Sequence, residues 1–424
     1  MGRRRLPPVL RERDYARLLM TSAAFGFGRE MVFVAIGWQV YDISRNPFHL
    51  GLVGLAEFLP LLLFALPAGA IADRLPRKLV LIGSLLADAA ITALLLLVSL
   101  NGAGSLYQFL ALAFASGTSA AVGNPAIRSM WPSLVPLELL TRALALRSTV
   151  SQASVVTGPA IGGLLFAIRP EAAYGAGAGL MLVAAAVAVT IGPRAVERAP
   201  AAVLGTRVAS LLAGLRFVRS TPVLLGAISL DLVAVLFGGA VALLPLFARD
   251  ILDVGPIGLG VLRSAPAVGA LFAGIMLTRR PLRGMAGRKL LVVVGVFGGS
   301  MVVFGLSHSF ALSFAALAVS GFADMISMNI RSMITALATP DALRGRVNAV
   351  EMVFISASNE LGAFESGAAA ALVGAVPAVV VGGCLTIAAA LLWPRLFGQM
   401  ARIDRLESLH PAGRGSLQST AEGL

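Results

Sequence analysis

Residues 69–78 read GAIADRLPRK, a polar break between two long apolar runs. Gly69 lets two backbones approach closely, and Asp73 follows about one helical turn later. Arg74, Arg77 and Lys78 then crowd a very short loop. An apolar helix therefore ends at a carboxylate, turns, and restarts beside fixed positive charge. Such an arrangement can latch two helices on one membrane face and release them. An aspartate beside basic residues is also what a plain solvated loop looks like, so the rest of the chain has to decide.

Composition decides the class. The 424 residues are 58% hydrophobic and 13% charged, with a mean hydropathy of +0.88. Soluble domains carry about 45–50% apolar and about 25% charged residues. The length would accommodate two or three soluble domains, but the composition specifies a polytopic membrane protein. A membrane helix needs about 20 mostly apolar residues to cross the ~30 Å hydrocarbon core. Many segments qualify, and alternating strand patterning is absent, so the spans are helices and not barrel strands. The net charge of +13 does not imply nucleic acid, because the charges sit in short loops between apolar spans. Cys384 is the single cysteine, so no internal disulfide forms, and Cys/His metal spacing is missing. No cofactor or metal is expected. The N-terminal MGRRRLPPVLRERDYARLLM is basic and then apolar, like a signal peptide. The apolar run continues to about Tyr41 without an early small-residue cleavage site, which reads as a retained first helix.

Apolar windows and loop punctuation predict about twelve spans. The first six cover roughly 15–41, 50–72, 79–100, 106–129, 143–168 and 172–191. A longer polar connection, 192–222, precedes spans over roughly 223–247, 258–277, 290–306, 310–337, 347–373 and 377–396. With the N-terminus inside, Arg74, Arg77, Lys78, Arg142, Arg279, Arg280, Arg283, Arg288, Lys289, Arg344 and Arg346 all fall on inner loops, and the outer loops hold only Arg45, Arg169 and Arg249. This asymmetry places both termini in the cytoplasm.

The chain repeats itself. PLELLTRALAL at 136–146 matches PDALRGRVNAV at 340–350, pairing Pro136 with Pro340, Arg142 with Arg346 and Ala145 with Ala349, always 204 residues apart. Gly158 maps onto Gly362 at the same offset. GIMLTRRPLRGMAGRK at 274–289 is a decayed echo of the opening stretch. The expected organisation is a six-helix half over 1–192, a cytoplasmic linker over 193–222, a second six-helix half over 223–398, and a cytoplasmic tail over 399–424. Internal repeats with a site at their interface are a common transporter plan.

These residues resemble the major facilitator superfamily. GAIADRLPRK is similar to that superfamily's signature loop between helices two and three, with Gly69, Asp73, Arg74, Arg77 and Lys78 in place; Pro76 stands where a second glycine is common. GPAIGG at 158–163 looks like the glycine-rich motif of exporting antiporters. SLLAGLRF at 210–217 and the 134–146 segment resemble the enterobactin-exporter-like branch. The resemblance implies an all-α integral membrane protein of twelve transmembrane helices in two six-helix pseudo-repeats. It also implies a cytoplasmic latch made of Gly69, Asp73, Arg74, Arg77 and Lys78, assisted by 279–289. Gly158, Gly162 and Gly163 remove side chains at helical spacing, and Pro159 frees a backbone carbonyl, so the fifth helix can pack closely and bend. Plain small-residue packing explains the same pattern.

Ionisable groups inside spans are expensive and usually face a cavity or a partner. Arg29 and Glu30 lie midway along the first span, Glu57 in the second, Asp88 in the third, Asp231 in the seventh, Arg263 in the eighth and Asp324 in the tenth, with Glu351, Glu360 and Glu365 on the eleventh. The resemblance implies that helices one, four, seven and ten line a central cavity. Carboxylates in such a place bind and release protons, which makes Glu30, Asp231 and Asp324 coupling candidates. The competing reading is that Arg29 and Glu30 form a structural pair. Arg128, near the inner end of the fourth span, either meets an anionic substrate or snorkels to the surface. Glu351 lies near Arg344 and Arg346 and could act in a latch as Asp73 does. Trp38 and Tyr41 suit the outer interface.

No Walker-type phosphate loop, HExxH pattern or Ser/His/Asp set stands out, so neither ATP hydrolysis nor enzymatic chemistry is expected. The reading is a secondary transporter of the bacterial inner membrane, a monomer in the lipid bilayer, exporting a small organic molecule such as a siderophore or drug in exchange for protons. An importer or lipid flippase on the same scaffold, and a transport-inactive sensor or assembly protein, are the alternatives.

Overall fold

The computed structural model describes residues 8–102, 104–192, 204–280 and 284–404, with the side chains of all but 65–74 and 204–208 among them. Those residues are almost entirely helical. In chain order the α-helices are α1 Arg13–Ser44, α2 Pro47–Arg74, α3 Arg77–Leu100, α4 Leu106–Met130, α5 Leu137–Ile168, α6 Pro170–Val189, α7 Leu204–Ser220 and α8 Pro222–Gly238. They continue as α9 Leu244–Leu246, α10 Gly255–Arg279, α11 Ala286–Leu306, α12 Phe310–Ala338, α13 Asp341–Val373, α14 Ala375–Leu396 and α15 Gly398–Ala401. A π-helical turn, Phe247–Ile251, follows α9. The segment 204–220 of the expected connection thus forms a helix of its own, α7.

Among the described residues, 11 helical segments are long and apolar enough to cross a membrane. The expected twelfth, α13, has 33 residues, about 50 Å of helix and ample for the hydrocarbon core. Its apolarity falls short because Asp341, Arg344, Arg346, Glu351, Glu360 and Glu365 all lie on it. An all-helical, twelve-span architecture accounts for the chain.

The chain divides into two compact units. The first comprises Met1–Ala201 with Ala242–Ser264, the second Ala202–Val241 with Ala265–Leu424. In the first unit α1 packs on α5 and α6, α3 on α4 and α6, and α2 on α4. In the second, α8 packs on α13 and α14, and α11 on α12 and α14. Apart from α2 on α4, the second list reproduces the first when α8, α11, α12, α13 and α14 take the places of α1, α3, α4, α5 and α6.

Close approaches repeat as well. A Cβ at Gly158 would lie 2.7 Å from Glu30 Cβ on α1, and one at Gly362 would lie 2.8 Å from Val235 O on α8. Both belong to the 204-residue offset. Gly117 and Gly321 share that offset: a Cβ on the first would strike Glu57 O, and one on the second Pro266 O. Small residues let backbones touch where the bilayer supplies no hydrophobic drive for helix association.

Each unit has its own core at one end of the bundle. In the first, Tyr15, Leu18, Leu81, Leu85, Met130, Trp131 and Ala188 are buried together. Tyr15 meets Trp131 edge to face at 5.6 Å, and its hydroxyl donates to Ala143 O at 2.7 Å. In the second, Leu224, Leu290, Ile330, Ile334, Val347 and Trp393 cluster, and Trp393 Nε1 donates to Gly226 O at 2.9 Å. Burying the polar tips with partners avoids the cost of unpaired polar atoms.

Candidate functional site

Two groups of charges lie mid-helix, one in each unit. In the first unit Arg29 Nη2 on α1 pairs with Glu57 Oε1 on α2 at 2.8 Å. Glu30 and Asp88 are within electrostatic range of the same guanidinium. Asp88 is buried on α3 beside Ser119 of α4. Arg29 therefore pairs across helices and not with its neighbour Glu30, which is a correction to the structural pair weighed above. Consecutive helix residues point about 100° apart, so i and i+1 do not face each other. The half-buried Glu30 instead stands against Gly158 of α5. The Arg29 side chain is 44% exposed and that of Glu57 13%.

In the second unit Arg331 on α12 forms an ion pair with Asp231 on α8. Both side chains are buried, 7% and 9% exposed. Asp324, on α12, and Glu351, on α13, are within electrostatic range of Arg331. Glu351 thus belongs to this group. Arg344, proposed from sequence as its neighbour, pairs with Asp341 at 2.7 Å, one turn away. Asp324 is solvent-exposed although it sits midway along α12. A charge at that depth is costly wherever it meets lipid.

Sequence reasoning missed Arg331. The signal was available: it stands seven residues after Asp324, inside the tenth span, and seven residues are two helical turns on one face. A full inventory of intraspan charges, made before asking which span lines a cavity, would have found it.

The latch residues are only partly visible. The side chains of Gly69, Asp73 and Arg74 lie outside the described residues, as does Arg283. Lys78 Nζ donates to Val189 O at 2.7 Å and Ile191 O at 2.5 Å, at the C-terminus of α6. Arg77 Nη1 donates to Ser129 O near the end of α4 at 3.4 Å. Arg17 donates to Thr190 O at 2.7 Å, and Asp14 accepts from Gly192 N at 3.0 Å. The orphan carbonyls and negative dipole end of α6 are thereby met by two cations. Of the latch cations, Lys78 thus meets the end of α6 and Arg77 the end of α4.

Arg128 is exposed near the end of α4, within electrostatic range of Arg147, which stacks on Trp131 at 5.1 Å. In the glycine motif, a Cβ at Gly162 would meet Met31 Cα of α1 at 2.6 Å, while Gly163 abuts the Pro256 and Gly260 backbone at the start of α10. Pro159 is accommodated inside a continuous α5. Trp38 and Tyr41, expected as interface anchors, join a charge network: Arg249 lies over the Trp38 ring at 5.5 Å and pairs with Asp42, and the Tyr41 hydroxyl donates to Asp250.

The whole-chain comparisons agree with this architecture. The family model described as transmembrane secretion effector matches residues 6–412. The chain is 25% identical over 391 residues to macrolide efflux protein A of Streptococcus pyogenes, covering 88% of this chain and 92% of that protein. It is 27% identical over 382 residues to the enterobactin exporter EntS of Citrobacter koseri, covering 87% and 88%. Its fold is similar to that of a bacterial homologue of the human lysosomal transporter Spinster, with TM-score 0.73, 15% identity, and 93% and 99% of the two chains covered. A bacterial homologue of the iron transporter ferroportin gives TM-score 0.68 at 18% identity, covering 93% and 100%. Helical spans, an internal repeat and a family match over nearly every residue converge: this chain is a multi-pass bacterial membrane transporter, not an enzyme, and belongs to the transmembrane secretion effector family of the major facilitator superfamily.

Proposed function

We propose that the protein exports a small organic molecule in exchange for protons, by alternating access. One observation carries the coupling: in each unit one arginine within a span, Arg29 or Arg331, lies in electrostatic range of three carboxylates. One cation cannot neutralise three anions placed within the spans, and unpaired charge in a membrane interior is costly. The remaining negative charge is met by protons or by a cationic group on the transported molecule. Competition between those two for the same carboxylates is the elementary requirement of antiport. Export as the direction is supported by the efflux and exporter names of the two sequence relatives. The Arg and Lys asymmetry of the loops supports cytoplasmic termini, and the reading takes the protein as a monomer in the bilayer.

The test uses inverted membrane vesicles from cells producing the protein, with erythromycin and enterobactin as probes. Accumulation driven by an acid-inside gradient, and collapsed by a protonophore, supports the reading. Accumulation that persists after the pH gradient is dissipated, or that requires ATP, overturns it.

A further inference from the structure

We infer that Arg331 is a positioning residue that links protonation of Asp324 to the ion pair between α8 and α12, resting on the proton-exchange reading above for its role in transport. Three features of the second unit carry this. Arg331 holds Asp231 on α8 with one nitrogen, while its Nε is buried with no hydrogen-bond partner among the described residues. The guanidinium is therefore incompletely satisfied and has capacity for a second acceptor. Helix side chains lean toward the N-terminus, so Arg331 leans back along α12 toward Asp324, two turns earlier on the same face. Asp324 alone of the pair's neighbours combines a mid-span position with an exposed surface.

The charges around Asp324 are few. Arg331 acts on it from its own helix and Asp231 from α8. Glu351, on α13, acts on Arg331 and Asp231. α11 packs on α12 but carries its only charges, Arg288 and Lys289, in its first turn. The part of α10 that meets α12 at Gly269 and Gly321 reaches its next charge at Arg279, its last residue. With a proton on Asp324, Arg331 stays on Asp231 and ties α8 to α12. Without it, the Asp324 carboxylate competes for the guanidinium and loosens that tie. The proton moves only between Asp324 and water, and no other bond changes.

Infrared difference spectra of the full-length protein in lipid bilayers, recorded against pH without substrate or gradient, test the link. The expected result is a protonated-carboxyl band that titrates in the wild type and is lost in Asp324→Asn. Its midpoint should be displaced by about 1–3 pH units in Arg331→Gln, the effect of removing a nearby opposite charge. In Asp231→Asn, where Arg331 keeps Asp324 and Glu351 as partners and folding is retained, the displacement should run in the opposite sense. A band that survives Asp324→Asn, or a midpoint unmoved in Asp231→Asn, overturns the inference. Proton-coupled transport alongside an unmoved midpoint would overturn this link alone. A displaced midpoint in a protein that moves no protons with substrate would overturn the antiport reading and leave the link standing.

Discussion

Replacing Arg331 by Gln strands the Asp231 carboxylate in a site where both side chains are under 10% exposed. Breaking a buried ion pair from one side costs about 3–5 kcal/mol, because the remaining charge is neither hydrated nor compensated. Removing both charges at similar volume, in Asp231→Asn/Arg331→Gln, should restore most of that loss. Arg29→Gln provides the internal comparison. Its side chain is 44% exposed, so the pair with Glu57 is less desolvated than Arg331–Asp231 and the expected cost is smaller, about 1 kcal/mol. The two single variants should then differ by at least about 2 kcal/mol, roughly thirty-fold in the unfolding equilibrium. Reversible SDS-induced unfolding in mixed micelles measures this, followed by fluorescence. Trp393, bonded to Gly226, reports the second unit, and Trp131, against Tyr15, reports the first. Equal costs for Arg331→Gln and Arg29→Gln, or a double variant no more stable than Arg331→Gln, would refute the reasoning.

Gly158→Ala and Gly362→Ala should each cost about 1–3 kcal/mol through overpacking, since the new methyls would sit 2.7 Å from Glu30 Cβ and 2.8 Å from Val235 O. Gly345→Ala, with open space around it, should be neutral, and the yield of monodisperse protein on size exclusion separates the three. Lys78→Met removes the donor to Val189 O and Ile191 O, so amide exchange should quicken over the last turn of α6 while mid-α3 stays protected. Arg249→Gln loses its pair with Asp42, whose side chain is 48% exposed; unfolding free energy should change by no more than about 1 kcal/mol, and a larger loss in the same SDS titration would mean that this network is desolvated.

The architecture was legible because membrane helices must satisfy their backbones internally and carry long apolar runs, signals that survive in one sequence. The repeat was legible for a related reason: close packing fixes glycines such as Gly158 and Gly362, and the structure places them against α1 and α8, which correspond in the two units. Helix α7 was read as part of a polar connection because Arg207, Arg216 and Arg219 dilute its apolar residues. Charge partners were the least legible. Arg29 stands next to Glu30 in sequence yet meets Glu57, 28 residues away, because helix geometry separates neighbours and joins positions on facing helices. Glu351 was assigned to Arg344 and Arg346 by nearness along α13, and lies instead in range of Arg331 on α12. Lys78, read as part of a latch, caps α6 across 111 residues of sequence, a partnership that only the fold reveals.

In the proposed function the carboxylates around Arg29 and Arg331 exchange protons for substrate. The most direct measurement is proton movement in proteoliposomes loaded with a pH dye, with erythromycin or enterobactin added across an imposed pH gradient. Substrate-dependent proton flux should appear in the wild type and vanish in Asp324→Asn, while downhill exchange of the probe between the two sides continues. Probe transport of undiminished rate with no accompanying proton movement would contradict the proposed function.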